Sequence, residues 1–349
     1  MIKKVKTALA SFGMSGQVFH GPTLKVNPDF EVVRVLERSK NLSTSLFPQS
    51  RITRSFEEII EDPEIELVVV NTPDPFHYDM ARRALLAGKH IVVEKPVTQQ
   101  SSQAEELLAL AKDKGLLFSV YQNRRWDGDF LTVKKVLEQG KLGRLVEFES
   151  HYDRFRTMIT PDTWKEVGDE FAGVLYNLGS HMVDQVVVLF GKPQAVTAHL
   201  KIVRTGGKVT DYYDIRMEYN GFSAILKCSY LVKNPGPRYS IYGESGTFHK
   251  WGIDPQEELL KAGTLPQGDD WGKEPENEWG ILVYENNGSN FTEKVETIRG
   301  NYSAFYHNIY DVIRNGAGLQ VKPEEAIDVL KILEACLISN REKRTVFLS

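Results

Sequence analysis

The first residues able to do chemistry are Ser11-Phe12-Gly13-Met14-Ser15-Gly16. They form a variant of the dinucleotide fingerprint G-x-G-x-x-G in which Ser11 replaces the first glycine. A pyrophosphate at such a turn needs a bare backbone at Gly13 and a helix N-terminus whose free N–H groups face the anion. Two glycines by themselves mark only a turn, and the nucleotide reading rests on their place between a first strand and a helix. Glu37-Arg38-Ser39-Lys40 begins 21 residues beyond Gly16. An acid there can hold the ribose 2′-hydroxyl of NAD, whereas Arg, Ser and Lys can receive the 2′-phosphate of NADP. Three phosphate partners beside one carboxylate favour NADP, and a solvated turn is the alternative.

Two further constellations follow. Glu94-Lys95-Pro96 ends an apolar run, and a lysine at the carboxyl end of a buried strand points toward the ligand crevice of an open α/β sheet, unless the charges only solvate a loop. Gly173 to Asp184 reads as the start of an apolar helix. On a regular helix, Asn177, His181 and Asp184 fall at i, i+4 and i+7, on one face. Polar residues aligned in this way need partners, and a substrate or a satisfied core histidine both answer that need. No metal site is expected, because neither a His-Glu-x-x-His pattern nor a cysteine cluster accompanies them.

The elements that must carry these residues alternate in the first third of the chain. Strands are expected at 4–11, 32–36, 67–70, 90–93 and 117–120, with helices from Gln17 to Val26, Phe76 to Ala87 and Ser101 to Lys114. Short β-branched runs with helices between them predict a parallel, doubly wound Rossmann sheet over residues 1–123. Beyond Asn123 the pattern changes. Helices are expected over 130–139, 175–190, 302–314 and 324–340, the last opened by Pro323. Strands are expected over 144–154, 195–203, 212–219, 223–230 and 239–242, separated by Gly-containing turns. Residues 124–349 therefore read as an α+β domain with a large, mainly antiparallel open sheet, and residues 251–300 show too little periodicity to assign.

Composition narrows the function classes. The 349 residues suit two domains of a globular protein. Apolar runs such as Val186–Phe190 are far too short to cross a bilayer, and no secretory leader is readable at the start. With 43 basic and 47 acidic residues the net charge is -4, and no basic block suits nucleic acid. Only 2 cysteines, Cys228 and Cys336, make a reducing cytoplasm the expected location.

Taken together, Glu94-Lys95-Pro96 and Gly173 to Asp184 resemble the two signatures of the glucose-fructose oxidoreductase, inositol dehydrogenase and MocA family of NAD(P)-dependent oxidoreductases. The resemblance runs nearly end to end. It reaches the bacterial branch containing NADP-dependent scyllo-inositol dehydrogenases through 123–127, 148–154 and 252–257. It implies hydride transfer between NADP, or NAD, and a secondary alcohol of an inositol, sugar or related polyol. It also implies that Lys95 orients and polarises the hydroxyl and that His181 takes its proton. Thr72, Pro73, His77 and Asn123 would line the cofactor, and Trp164 would close over the nicotinamide. Relatives commonly carry Asp where this chain has Asn177; a neutral amide orients the imidazole without stabilising its charged form. The alternative is an NAD(P)-binding sensor or scaffold with weak or lost catalysis. The family further implies a homodimer or homotetramer paired through the C-terminal sheet.

Overall fold

In the computed structural model, which describes residues 3–160, 166, 168 and 171–348, the apolar runs of the first third become a six-stranded parallel sheet. The strands are β1 (Val5–Leu9), β2 (Phe30–Leu36), β3 (Arg51–Thr53), β4 (Leu67–Val70), β5 (His90–Val93) and β6 (Phe118–Val120), in the order β3-β2-β1-β4-β5-β6. Helices α1 (Gly21–Val26), α2 (Glu57–Ile60), α3 (His77–Leu86) and α4 (Ser101–Asp113) lie between them in the chain. All of β4 is buried, which explains a strand without a polar alternate. The strand order reverses between β1 and β4, and the crevice outside the carboxyl ends at such a switch point is where open α/β sheets take ligands. The expected helix from Gln17 is not α throughout. It opens with a π-helical turn, Gly16–His20, closed by Gly21 N–H on Gly16 O.

The remaining elements are α5 (Gly128–Glu138), β7 (Leu145–His151), α6 (Ser180–Phe190), β8 (Ala195–Lys201), β9 (Tyr212–Glu218), β10 (Ser223–Ser229), β11 (Tyr239–Gly243), β12 (Gly246–Lys250), α7 (Gln256–Lys261), β13 (Gly280–Asn286), β14 (Ser289–Val295), α8 (Ser303–Asn315), α9 (Pro323–Glu342) and β15 (Val346–Phe347). A nine-stranded sheet runs β14-β13-β12-β11-β7-β10-β9-β8-β15. Its pairings are antiparallel except β7 with β10. One face is core. Tyr213, Ile215 and Met217 of β9 and Ala224, Leu226 and Cys228 of β10 are all 0% exposed, as are Met182, Val183 and Val186 of α6. Each large apolar side chain so covered contributes roughly 1.5–3 kcal/mol of transfer free energy.

A single cut near Asn123 does not describe the packing. One compact unit comprises the chain up to Asp127 with Pro255–Gly272 and Gly300–Ile327; the other comprises Gly128–Asp254, Lys273–Arg299 and the chain from Asp328 onward. The reason for the return is aromatic. Phe305 and Tyr306 of α8 pack edge-on against Tyr121 and Phe30, with ring centroids 4.9 and 5.4 Å apart, and so complete the core of the first unit.

Candidate dinucleotide and catalytic site

The turn after β1 is shaped by its own side chains. Ser11 Oγ accepts a hydrogen bond from Gly13 N–H at 3.1 Å, and Ser11 O accepts one from Asn71 Nδ2 at 2.9 Å. Gly13 is exposed, and a Cβ there would meet only Ser11 Oγ, at 3.5 Å. Gly16 is buried, and a Cβ there would lie 2.8 Å from Ser11 O and 3.1 Å from Asn71 Nδ2. The two glycines therefore answer different needs: Gly13 leaves the backbone open, and Gly16 lets the helix lie close on the strand ends. Phe12 is turned into the core against Phe47, so its contribution to the turn is its backbone; Met14 is exposed and Ser15 half-buried.

β5 is followed directly by Glu94, a buried carboxylate that gathers this end of the sheet. Oε1 accepts from Ser15 Oγ and lies 3.0 Å from His20 Nε2, and Oε2 accepts from Lys95 N–H at 3.1 Å. His20 is fully buried, with Nδ1 2.6 Å from Tyr306 Oη. Burial alone would raise the carboxyl, but the His20 and Ser15 hydrogen bonds and the Lys95 charge outweigh it and hold Glu94 at about 2. Half-buried Lys95 thus follows a fixed anion. Asp74, beyond β4, goes the other way: burial raises its carboxyl, with His77 and Lys95 only partly offsetting it. His77 is fully buried between Pro96 O and Thr72 O, both at 2.8 Å, and ties the loop after β4 to the loop after β5.

A dinucleotide suits this set of residues. Among the described residues, Asn71 Oδ1 and Thr72 Oγ1 are buried without a hydrogen-bond partner, next to the open turn at Gly13, while Pro73 is exposed. At the end of β2, Glu37 is turned inward. Its Oε1 accepts from Ser43 N–H at 2.9 Å and Ser43 Oγ at 2.6 Å, and its Oε2 from Leu42 N–H at 2.8 Å. Burial pushes this carboxyl up, and the Ser43 and Leu42 hydrogen bonds, with the Arg54 charge, bring it below the usual carboxylate range. Arg38, Ser39 and Lys40 are exposed. Asn123 is buried at the head of a 3-10 turn, Asn123–Trp126, whose Arg125 pairs with Glu325 at 2.6 Å.

In the second unit, the helix carrying His181 also opens irregularly. Leu175–Gly179 is a π-helical turn, closed by Ser180 N–H on Leu175 O, before α6 begins. The expected regular helix is thereby corrected: Asn177 sits on a widened turn with hydrogen bonds spanning i to i+5, whereas His181 and Asp184 lie on α6 itself. Asn177 is half-buried, whereas His181 and Asp184 are buried. Trp164 lies outside the described residues. Among the described residues, no group of three or more His, Cys, Asp or Glu is arranged to hold a metal.

The sequence reading passed over His20, Asn71 and Tyr306. A signal for His20 is its position, the last residue of the first turn after Gly16; for Asn71, it is an amide directly after the wholly apolar Leu67–Val70.

Known proteins share the fold. A family model described as oxidoreductase family, NAD-binding Rossmann fold, matches residues 5–122, and one described as oxidoreductase family, C-terminal alpha/beta domain, matches residues 134–348. The chain belongs to the Gfo/Idh/MocA oxidoreductase family. This Gfo/Idh/MocA oxidoreductase is 39% identical over 347 residues to scyllo-inositol 2-dehydrogenase (NADP(+)) IolW of Bacillus subtilis, covering 99% of this chain and 97% of that one. It is 36% identical to the oxidoreductase YdgJ of Escherichia coli over the whole of both chains. A solved oxidoreductase structure from Bacteroides fragilis shares 48% identity and a TM-score of 0.92, over 99% of this chain and 100% of that one. No helix among the described residues is long and apolar enough to cross a membrane.

Two outcomes are expected of this Gfo/Idh/MocA oxidoreductase. Gly16→Ala should lower the urea midpoint by the equivalent of about 1–3 kcal/mol, because the backbone of Ser11 must yield, whereas Gly13→Ala should unfold like the parent. Glu94 should make acid denaturation steeper. Its folded-state pKa lies below the ordinary 4.5, so its stabilisation, roughly 3 kcal/mol, is present above 4.5 and is lost as pH falls toward about 2. A Glu94→Gln protein should lack that limb in stability measured from pH 6 to pH 2.

Proposed function

We propose that this oxidoreductase transfers a hydride between NADP and a secondary alcohol carbon of a cyclic polyol, an inositol or a related sugar. The observation that carries the reading is Glu94, which joins the open glycine turn after β1 to Lys95 beyond β5, one strand from the switch point of the sheet. The scyllo-inositol dehydrogenase relative, alike from end to end, supports both the substrate class and the choice of NADP. Gly13, Asn71, Thr72 and the 38–40 segment bind and orient the dinucleotide, with Ser11 and Ser15 shaping the turn. When bound, the nicotinamide supplies the hydride acceptor or donor. Lys95 orients and polarises the substrate hydroxyl. His181 takes its proton, which requires an approach of about 3 Å. Asn177 steadies the imidazole without a charge of its own. That neutrality favours a second reading, an NADP-binding sensor or scaffold with slow chemistry.

Two thiols, Cys228 and Cys336, are free and buried, in keeping with a proposed cytoplasmic location. We also propose a homodimer or homotetramer through the open face of the nine-stranded sheet. That face carries Glu147 beside Arg216 and Asp214 beside Lys227, at 3.7 and 3.9 Å, a mixed pattern that a second copy can match.

Nicotinamide absorbance should change with NADP⁺ more than with NAD⁺ on at least one member of a panel of inositols, aldoses and their keto forms. Lys95→Ala should lower that turnover by about 10²–10⁴-fold. Tight NADP⁺ binding with no turnover on any member would favour the sensor. Asn177→Asp should keep or raise kcat, and a sharp loss would give Asn177 a role of its own. Light scattering at micromolar concentration should report a dimer or tetramer; a monomer removes the pairing.

A further inference from the structure

Where a dinucleotide enzyme keeps an acid at the end of its second strand, that acid is available to the adenosine ribose 2′-hydroxyl. This chain has the acid, Glu37, but has taken it out of use. The residue is only 6% exposed, and three of its lone-pair directions are filled by Ser43 Oγ, Ser43 N–H and Leu42 N–H. Ser43 is itself fully buried, in the 3-10 turn Leu42–Ser45. The backbone around Glu37 is clasped from the other side. Arg54, which follows β3, donates through Nη1 to Glu37 O and to Lys40 O at 2.8 Å, and through Nη2 to Asn41 Oδ1 at 2.6 Å. The side chain of residue 37 is thus held in while the 38–40 segment is held out, leaving Arg38, Ser39 and Lys40 exposed.

We propose that Ser43 and Arg54 form a latch that sets cofactor choice: Ser43 withdraws the carboxylate of Glu37 from the ribose, and Arg54 holds Arg38, Ser39 and Lys40 where a 2′-phosphate can be received. Both are positioning residues. The inference rests on the dinucleotide-binding reading above and deepens it. Its chemistry is simple. A carboxylate at the ribose would repel a 2′-phosphate and reward a free 2′-hydroxyl, so turning it inward and covering it with donors of the chain itself reverses both preferences.

The test is binding, independent of turnover. Dissociation constants of the purified protein for NADP⁺ and NAD⁺, and for the fragments 2′,5′-ADP and 5′-AMP, are measured by calorimetry for the parent, Ser43→Ala, Ser43→Ala/Glu37→Gln and Arg54→Gln. Thermal melts accompany each variant. The parent is expected to prefer the 2′-phosphorylated member of each pair. Ser43→Ala should reduce that preference severalfold by removing the hydroxyl and leaving the carboxylate held by two backbone amides alone, and adding Glu37→Gln should remove the affinity gained for NAD⁺. Arg54→Gln, on an exposed loop, should weaken 2′,5′-ADP with 5′-AMP nearly unchanged, and it keeps the idea testable if Ser43→Ala melts early. A parent that binds NADP⁺ selectively while both variants keep its preference within twofold overturns the latch alone. A parent that binds neither dinucleotide overturns the dinucleotide reading, and the latch with it.

Discussion

A single buried carboxylate constrains the ligand end of the first unit. Glu94 cannot sit under the sheet ends without donors, because an uncompensated buried charge costs several kcal/mol. The chain supplies them from separate places: Ser15 in the glycine turn, His20 in the helix that follows, and the amide of Lys95. Through His20 the requirement extends to Tyr306 on α8, which returns from the far end of the sequence. The fold of the first unit thus needs its last helix as much as its first. Satisfying Glu94 also settles where the strand end bearing Lys95 lies.

The two acids at the ends of β2 and β5 have been treated alike. Glu37 and Glu94 are both buried, both held below the ordinary carboxylate range, and both bonded by donors of their own chain. Negative charge is thereby kept inside the fold at an edge where Arg38, Ser39 and Lys40 are exposed. An electrically divided sheet end of this kind suits a polyanionic ligand.

Sequence pattern was a good guide where burial was two-sided. Leu67–Val70, buried throughout, and His90–Val93, buried except for half-buried His90, have the bounds expected of them. Arg51–Thr53 was silent because three residues with an exposed arginine carry no period. β14 was silent for a similar reason: Ser289 to Thr292 are exposed on both sides, so no apolar alternation exists to be read. Its turn did carry a signal. Asn287-Gly288, both at positive φ, joins β13 to β14 as a two-residue hairpin of a kind that Asn-Gly favours. At the site, the residue types of the glycine turn and of Glu94-Lys95-Pro96 were legible, and their burial and partners were not. Glu37 is the sharpest case, because its type invites a ribose while Ser43, six residues away, turns it inward.

The helix that follows the glycine turn and the helix that carries His181 share one irregularity, a π turn at Gly16–His20 and another at Leu175–Gly179. A π turn holds about one residue more than an α turn, so removing one residue from Leu175–Gly179 would relax that stretch to ordinary α geometry while α6, with His181, keeps its phase. The irregularity is thus a local widening of the chain that leaves the register of the helix beyond it intact.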